Sequence, residues 1–244
     1  HAVPEDHRQS RKGDPAMADS VLYEVSDGLA TITINRPEAM NAINSALGQG
    51  LVAAIKRLDE DDNLTAAVLT GAGRGFCAGM DLKAFLTEGP PKGFDEFIRS
   101  GARKPVIVAI EGFALAGGLE IALACDLLVA AAGSKLGIPE VGVGLFAAAG
   151  GLMRLPRRVP YGVAMEMAIT GDPISAEKAF EHGLVSRLSE KGKAAEVALE
   201  LAERIARNAP LGVSASKQLI RASTGCTEAE FWEAQKPHAI KVFA

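Results

Sequence analysis

Apolar and polar positions change period along the chain. Residues 30–34, Ala-Thr-Ile-Thr-Ile, alternate strictly, which predicts a half-buried strand. Asn35, Arg36, Pro37 and Glu38 break the alternation. Ser45 is a candidate cap for a helix in which Leu47, Leu51, Ile55 and Leu58 recur at helical spacing. Residues 66–70, Ala-Ala-Val-Leu-Thr, read as a buried strand ending in Gly71-Ala72-Gly73, and residues 106–110 as another, with Pro105 at its start. Residues 117–125 open with glycine and continue as a helix, and 126–130 read as a further strand. Residues 194–207 give an amphipathic helix with Val197, Leu201 and Ile205 on one face and Glu200, Glu203, Arg204 and Arg207 outside, stopped by Asn208-Ala209-Pro210. Strands separated by helices predict an α/β fold with largely buried sheets.

At 244 residues the chain has room for one large domain or one domain with an appendage. Three segments are expected. Residues 1–16 are polar and without periodicity, a disordered or appended arm after which Met17 is a candidate start. Residues 17–190 form the core, and 191–244 a C-terminal helical region. A formal net charge of −4 argues against a nucleic-acid binder, and a 48% hydrophobic fraction is ample for a core. No apolar run approaches the roughly 20 residues that span a bilayer, and no secretory signal is recognisable. Three widely spaced cysteines exclude a disulfide framework and fit a reducing cytoplasm; none has zinc-site spacing with a histidine.

Candidate chemistry lies in three glycine-punctuated stretches: residues 73–82, residues 111–120, and Gly137-Ile138-Pro139-Glu140 with Gly144, Gly150 and Gly151 beyond. A strand that turns at glycine into a helix leaves backbone N–H groups unpaired at the positive end of the helix dipole, which suits an oxyanion or a phosphate. No Gly-Lys-Ser/Thr, no strand–Gly-x-Gly-x-x-Gly–helix and no Gly-x-Ser-x-Gly is present, so Walker, dinucleotide and serine-hydrolase chemistries are unsupported. Glu120 lies one helical turn after Gly117, so an N–H donor and a carboxylate share a face. Glu140 sits in a proline-fixed turn. Two carboxylates in one apolar pocket have the pKa tuning that acid–base catalysis needs.

At these residues the sequence resembles the crotonase superfamily, the enoyl-CoA hydratase/isomerase family. The resemblance runs from about Val21 to the end. It is carried by Asn35-Arg36-Pro37, Asn41-Ala42-Ile43-Asn44, Leu69-Thr70-Gly71, residues 76–82 (FCAGMDL), Lys104-Pro105-Val106-Ile107, residues 114–120 (ALAGGLE), Cys125-Asp126, Pro139-Glu140, Gly150-Gly151, residues 176–179 (AEKA) and Gly183-Leu184-Val185. The resemblance implies an α/β fold, a ClpP/crotonase-type spiral of ββα repeats, with C-terminal helices that pack into homotrimers or hexamers. It implies an acyl-CoA substrate, with no metal and no cofactor beyond the substrate's own CoA. It places the oxyanion-binding N–H groups on Met80 and Gly117, the hydratase glutamates on Glu120 and Glu140, and substrate or CoA contacts on Ala78, Asp81, Leu82 and Lys83. The implied reaction is reversible syn addition of water to a 2-enoyl-CoA. A carnitinyl-CoA dehydratase-like or Δ3,Δ2-enoyl-CoA isomerase-like enzyme, or a silent acyl-CoA-binding paralogue, are the alternatives.

There are departures from the family pattern. Ala147 and Ala148 stand where hydratases usually carry Pro-Gly, and Ala takes positive φ less cheaply than Gly. The family's closing tail motif is not found, and the stretch between Lys83 and Gly101 is short. Arg154, Arg157 and Arg158 read as a solvated or subunit-contact run, Cys77 and Cys125 as small core residues, and Met165/Met167 as core.

Overall fold

The computed structural model describes residues 19–243; the arm expected over 1–16, and Met17, lie outside them. Nine strands run in chain order: β1 Val21–Ser26, β2 Leu29–Ile34, β3 Ala66–Gly71, β4 Val106–Ile110, β5 Phe113–Leu115, β6 Leu127–Ala131, β7 Lys135–Gly137, β8 Ile174–Ser175 and β9 Arg187–Ser189. Ten α-helices accompany them: α1 Ser45–Glu60, α2 Leu82–Glu88, α3 Phe94–Ser100, α4 Gly117–Ala124, α5 Gly151–Arg154, α6 Tyr161–Thr170, α7 Ala176–Glu181, α8 Ala194–Ala206, α9 Pro210–Ser223 and α10 Glu228–Phe243. The main sheet has order β1-β2-β3-β4-β6-β9, antiparallel at β1/β2 and parallel elsewhere. A second, three-stranded sheet has order β5-β7-β8. The isolated parallel bridges Ile43–Met80 and Cys77–Ala114 extend it toward the N-terminus. Each turn of the chain thus adds one strand to the main sheet, a short strand or bridge to the second layer, and a helix, which is the expected ββα spiral.

Both faces of the main sheet are buried, which is why β3 and β4 read as continuous apolar runs. Leu69, Val108 and Leu128 point into the spiral, whereas Val68, Ile107 and Val129 point outward under α8. The α8 side chains buried on that outer face are Ala194, Ala198 and Ala202, small enough to let the helix lie close on the sheet. Val197, Leu201 and Ile205, the face expected from periodicity, flank this alanine stripe and are only partly buried. So α8, beyond the boundary expected at residue 190, packs against β3, β4 and β6. The helices α9 and α10 pack on each other and bury no residue fully.

The cap of α1 is Asn44 rather than Ser45: the Leu47 N–H donates to Asn44 Oδ1 at 3.0 Å. Asn44 has the extended backbone a cap needs, and Ser45 is already helical. No described helix is long and apolar enough to cross a membrane.

Candidate active site

Three parallel chain segments converge at one edge of the second layer. The Leu115 N–H donates to Cys77 O (3.0 Å), which lays residues 78–80 beside residues 115–117. The β5/β7 register pairs Leu115 with Gly137, and the Ala116 N–H donates to Gly137 O (2.9 Å). Glu140, three residues on, is thereby brought beside the start of α4.

The approach of the first two segments depends on Gly79. Its φ is +107°, and a Cβ there would lie 2.7 Å from Ala116 Cβ and 3.3 Å from Gly117 N. Ala116 itself has φ +49° and ψ −130°, a conformation costly for a residue with a side chain. The next residue of each segment, Met80 and Gly117, presents its N–H. A Cβ on Gly117 would stand 3.6 Å from Met80 N, so the two donors are neighbours. Neither donates to any described residue. Met80 is the centre of a parallel bridge whose bonds are made by its neighbours, Asp81 N–H to Ile43 O and Ile43 N–H to Gly79 O. Gly117 is the first residue of α4, where no intrahelical acceptor exists.

Glu120 is 3% exposed, and its Oε1 accepts from the Gly151 N–H at 2.8 Å. Burial raises its pKa; the Gly151 N–H opposes this, repulsion from Glu140 adds to it, and the Ala149 N–H and the Arg154 charge pull it back. Glu140 sits in a 3-10 turn, Pro139–Val143, closed by the Leu145 N–H to Glu140 O bond (3.0 Å) and by Gly144 at φ +75°. Its Oε2 is buried with no hydrogen-bond partner, and burial raises its pKa. An unpartnered buried carboxylate oxygen is rare in folded proteins and marks a place for water or ligand.

The other expected contacts are less engaged with this point. The Ala78 N–H is committed to Met40 O at 3.1 Å. Asp81 caps α2, accepting from the Ala84 N–H at 3.1 Å, and pairs with Arg36 at 3.3 Å. The Ala84 bond comes first among the causes that lower its pKa. Leu82 and Lys83 stand exposed on α2.

Other sequence readings change. Positive φ in residues 144–150 falls on Gly144 and Gly150, and not on Ala147 or Ala148, so the alanines cause no backbone strain. Met167 is core, but Met165 lines an apolar cavity beside Glu140. Arg154 and Arg158 are not simply solvated: Arg154 donates to Ile98 O, and Arg158 to Cys125 O at 2.7 Å. Cys77 and Cys125 are buried, with thiols pushed up to about 12 by burial. The Gly151 N–H and the α6 wall of the cavity were missed. Gly151 was visible only as part of a glycine pair, and small residues at Ala164 and Ala168 on α6 carry no chemical signal.

The sequence matches the family described as Enoyl-CoA hydratase/isomerase over residues 24–243. The chain belongs to the enoyl-CoA hydratase/isomerase family. Among relatives, it is 43% identical to (E)-benzylidenesuccinyl-CoA hydratase of Thauera aromatica, covering 81% of this chain and 80% of that protein. It is 39% identical to enoyl-CoA hydratase EchA19 of Mycobacterium tuberculosis, covering 87% and 84%. Among solved structures, it resembles an enoyl-CoA hydratase from Mycobacterium tuberculosis H37Rv, with a TM-score of 0.87 and 50% identity over 92% of this chain and 90% of that one. This family member is an enzyme of the hydro-lyase type, and its substrates are acyl-CoA thioesters.

Proposed function

We propose that the enzyme adds water reversibly to a 2-enoyl-CoA. The thioester carbonyl accepts from the Met80 and Gly117 N–H groups. Glu120 and Glu140 hold the water, and the Glu140 carboxylate, with Glu120 sharing the base role, takes one of the water's protons as the water oxygen bonds to Cβ. The displaced π electrons form a thioester enolate, whose oxyanion the two N–H groups stabilise, and Glu140 returns the proton it took from the water to complete Cα. Loss of one such donor typically costs about 2.7–4 kcal/mol of barrier. The thioester carbonyl itself acidifies Cα, so the step calls for no metal, and CoA enters as part of the substrate. Lys83, exposed on α2, is assigned to a CoA phosphate, with Ala78 and Leu82 assigned to flank the thioester and Asp81 to hold the loop.

The observation that carries this reading is Glu140 Oε2, buried without a partner beside a second raised-pKa carboxyl, Glu120. The test is loss of enoyl-thioester absorbance with crotonyl-CoA, with Glu140→Gln run beside wild type. Turnover that disappears in the variant supports the reading. Binding without turnover by the wild type moves the assignment to an isomerase, a dehydratase or a silent paralogue.

Self-association into a trimer or hexamer belongs to the same proposal. Ile220, Trp232, Ile240 and Phe243 of α9 and α10 are exposed, a surface expected to be covered in an oligomer. Sedimentation of the purified protein as a monomer at micromolar concentration would remove it. The three free cysteines suit a reducing compartment, which fits a cytoplasmic enzyme.

A further inference from the structure

A cavity of about 390 Å³ opens beside Glu140, between the Pro139–Val143 turn, α5 and α6. Its floor is Ile138, Leu155 and the two small residues Ala164 and Ala168, one turn apart on α6. Phe146 and Tyr161 stand exposed at its rim. Glu140 is the one charged residue in its lining, and Tyr161 the one other with an ionisable side chain. The nearby cations are turned elsewhere. Arg154 donates to Ile98 O, Arg158 to Cys125 O, and Arg157 lies 3.4 Å from Thr224 Oγ1. The one charged side chain of α6, Glu166, is a carboxylate too.

The geometry points to this cavity as the seat of the acyl tail beyond Cβ, selecting uncharged tails and rejecting those that end in a carboxylate. This rests on the hydratase reading of the Glu120–Glu140 site. Apart from the Tyr161 hydroxyl at the exposed rim, the lining side chains include no cation and no neutral donor to replace the water lost by a tail carboxylate, and an apolar wall without a partner strongly disfavours an ion. The ionised form of Glu140 at the inner end repels the same charge. An uncharged tail meets none of these costs and covers apolar wall. The volume is within the range of pockets that enclose whole small ligands, so the four-carbon crotonyl chain leaves most of it empty. Each further buried methylene then strengthens binding by about fourfold.

The test compares kcat/KM for crotonyl-, hexenoyl-, decenoyl- and dehydroadipyl-CoA in wild type, Ala168→Phe and Met165→Arg. Hexenoyl- and dehydroadipyl-CoA have the same chain length and differ at the terminal carboxylate. The wild type is expected to favour decenoyl over crotonyl, and hexenoyl over dehydroadipyl, each by roughly tenfold or more. Ala168→Phe, by filling the floor, should lower the decenoyl/crotonyl ratio by about tenfold. Met165→Arg should raise the dehydroadipyl/hexenoyl ratio by a similar factor, a gain that misfolding cannot produce. Calorimetric binding of the saturated hexanoyl- and adipyl-CoA separates the two readings. Preference for hexanoyl-CoA with no turnover of any enoyl-CoA overturns the hydratase reading alone. Equal binding of the pair overturns the cavity assignment, as do ratios that neither variant moves; a second copy of the chain filling the cavity would give that last result.

Discussion

Glu120 Oε1 accepts a 2.8 Å hydrogen bond from the Gly151 backbone N–H, tying the first turn of α4 to the start of α5. The contact leaves little room for a side chain at residue 151. A Cβ there would sit 3.0 Å from Glu120 Oε1, 3.2 Å from Glu120 Cγ and 3.1 Å from Ala147 Cβ. Gly151→Ala therefore makes the Glu120 carboxylate or Ala147 give by a few tenths of an ångström while adding only one methyl group. The expected result is a fall in kcat of about tenfold to a hundredfold, the scale of a misplaced catalytic group, with KM changed much less. Wild-type kcat in this variant would show that the position of Glu120 is unimportant.

The two carboxyls also predict a pH profile. Burial raises both pKa values, and Glu140 repulsion adds to the rise at Glu120. A base with a raised pKa loses its ionised form at higher pH than an ordinary glutamate. The acid limb of kcat/KM for crotonyl-CoA should therefore lie above the usual carboxylate range. For stability the sign is the reverse of a salt-bridged acid. Between the unfolded and the raised folded pKa the native state binds more protons, so stability falls as pH rises through that window. Glu120→Gln should then melt higher than wild type at neutral pH while losing activity. A lower melting temperature would mean that ionised Glu120 stabilises the fold.

Much of the main sheet was legible because its strands are buried on both faces. Ala67, Val68 and Leu69 alternate between two cores, yet all are apolar, and the run stands out. The edge strand β1 was not seen: of its six residues only Val21 is buried, so it has no apolar period. The strands β5, β7 and β8 are two or three residues long, too short for any periodicity, and they exist through pairing with one another. At the site, the spacing from Gly117 to Glu120 showed one donor and one carboxylate on a face. That Glu140 meets them depends on the pairing of Leu115 with Gly137, which nothing local encodes, and it was reached through family resemblance. Arg154 and Arg158 looked like a surface charge run because their carbonyl acceptors, Ile98 and Cys125, are distant in sequence.

Gly79 should be the least replaceable glycine for catalysis. Its φ of +107° and the 2.7 Å approach to Ala116 Cβ oppose any side chain. Gly79→Ala is expected to cost about 1–3 kcal/mol of stability from backbone strain and crowding. It should also separate the Met80 and Gly117 donors, lowering kcat by about a hundredfold. Gly28, at φ +74° in the turn between β1 and β2, supplies the comparison. Gly28→Ala should destabilise through strain without a fall in kcat. Equal kcat losses in the two variants would trace the effect to general destabilisation.

The far end of α4 is held by α9. Lys217 Nζ of α9 lies 2.6 Å from Asp126 Oδ2, with the two side chains 9% and 18% exposed, and donates to Lys104 O at 2.7 Å. Arg221, one turn on, donates to Ala124 O at 2.7 Å, the last residue of α4. Burial lowers the Lys217 pKa, and the Asp126 charge opposes that shift. Lys217→Met leaves Asp126 Oδ2 with the Val106 N–H (2.8 Å) alone, a half-buried charge without its counter-ion. Breaking such a pair typically costs about 3–5 kcal/mol, measurable by urea unfolding. Adding Asp126→Asn should return part of that loss, because the orphaned charge goes with it. Hydrogen exchange should report faster opening of α9 in the single variant than in the double. A loss below about 1 kcal/mol in Lys217→Met would place the pair with ordinary surface ion pairs, and α9 would then be held on the core by Arg221 and its apolar contacts instead.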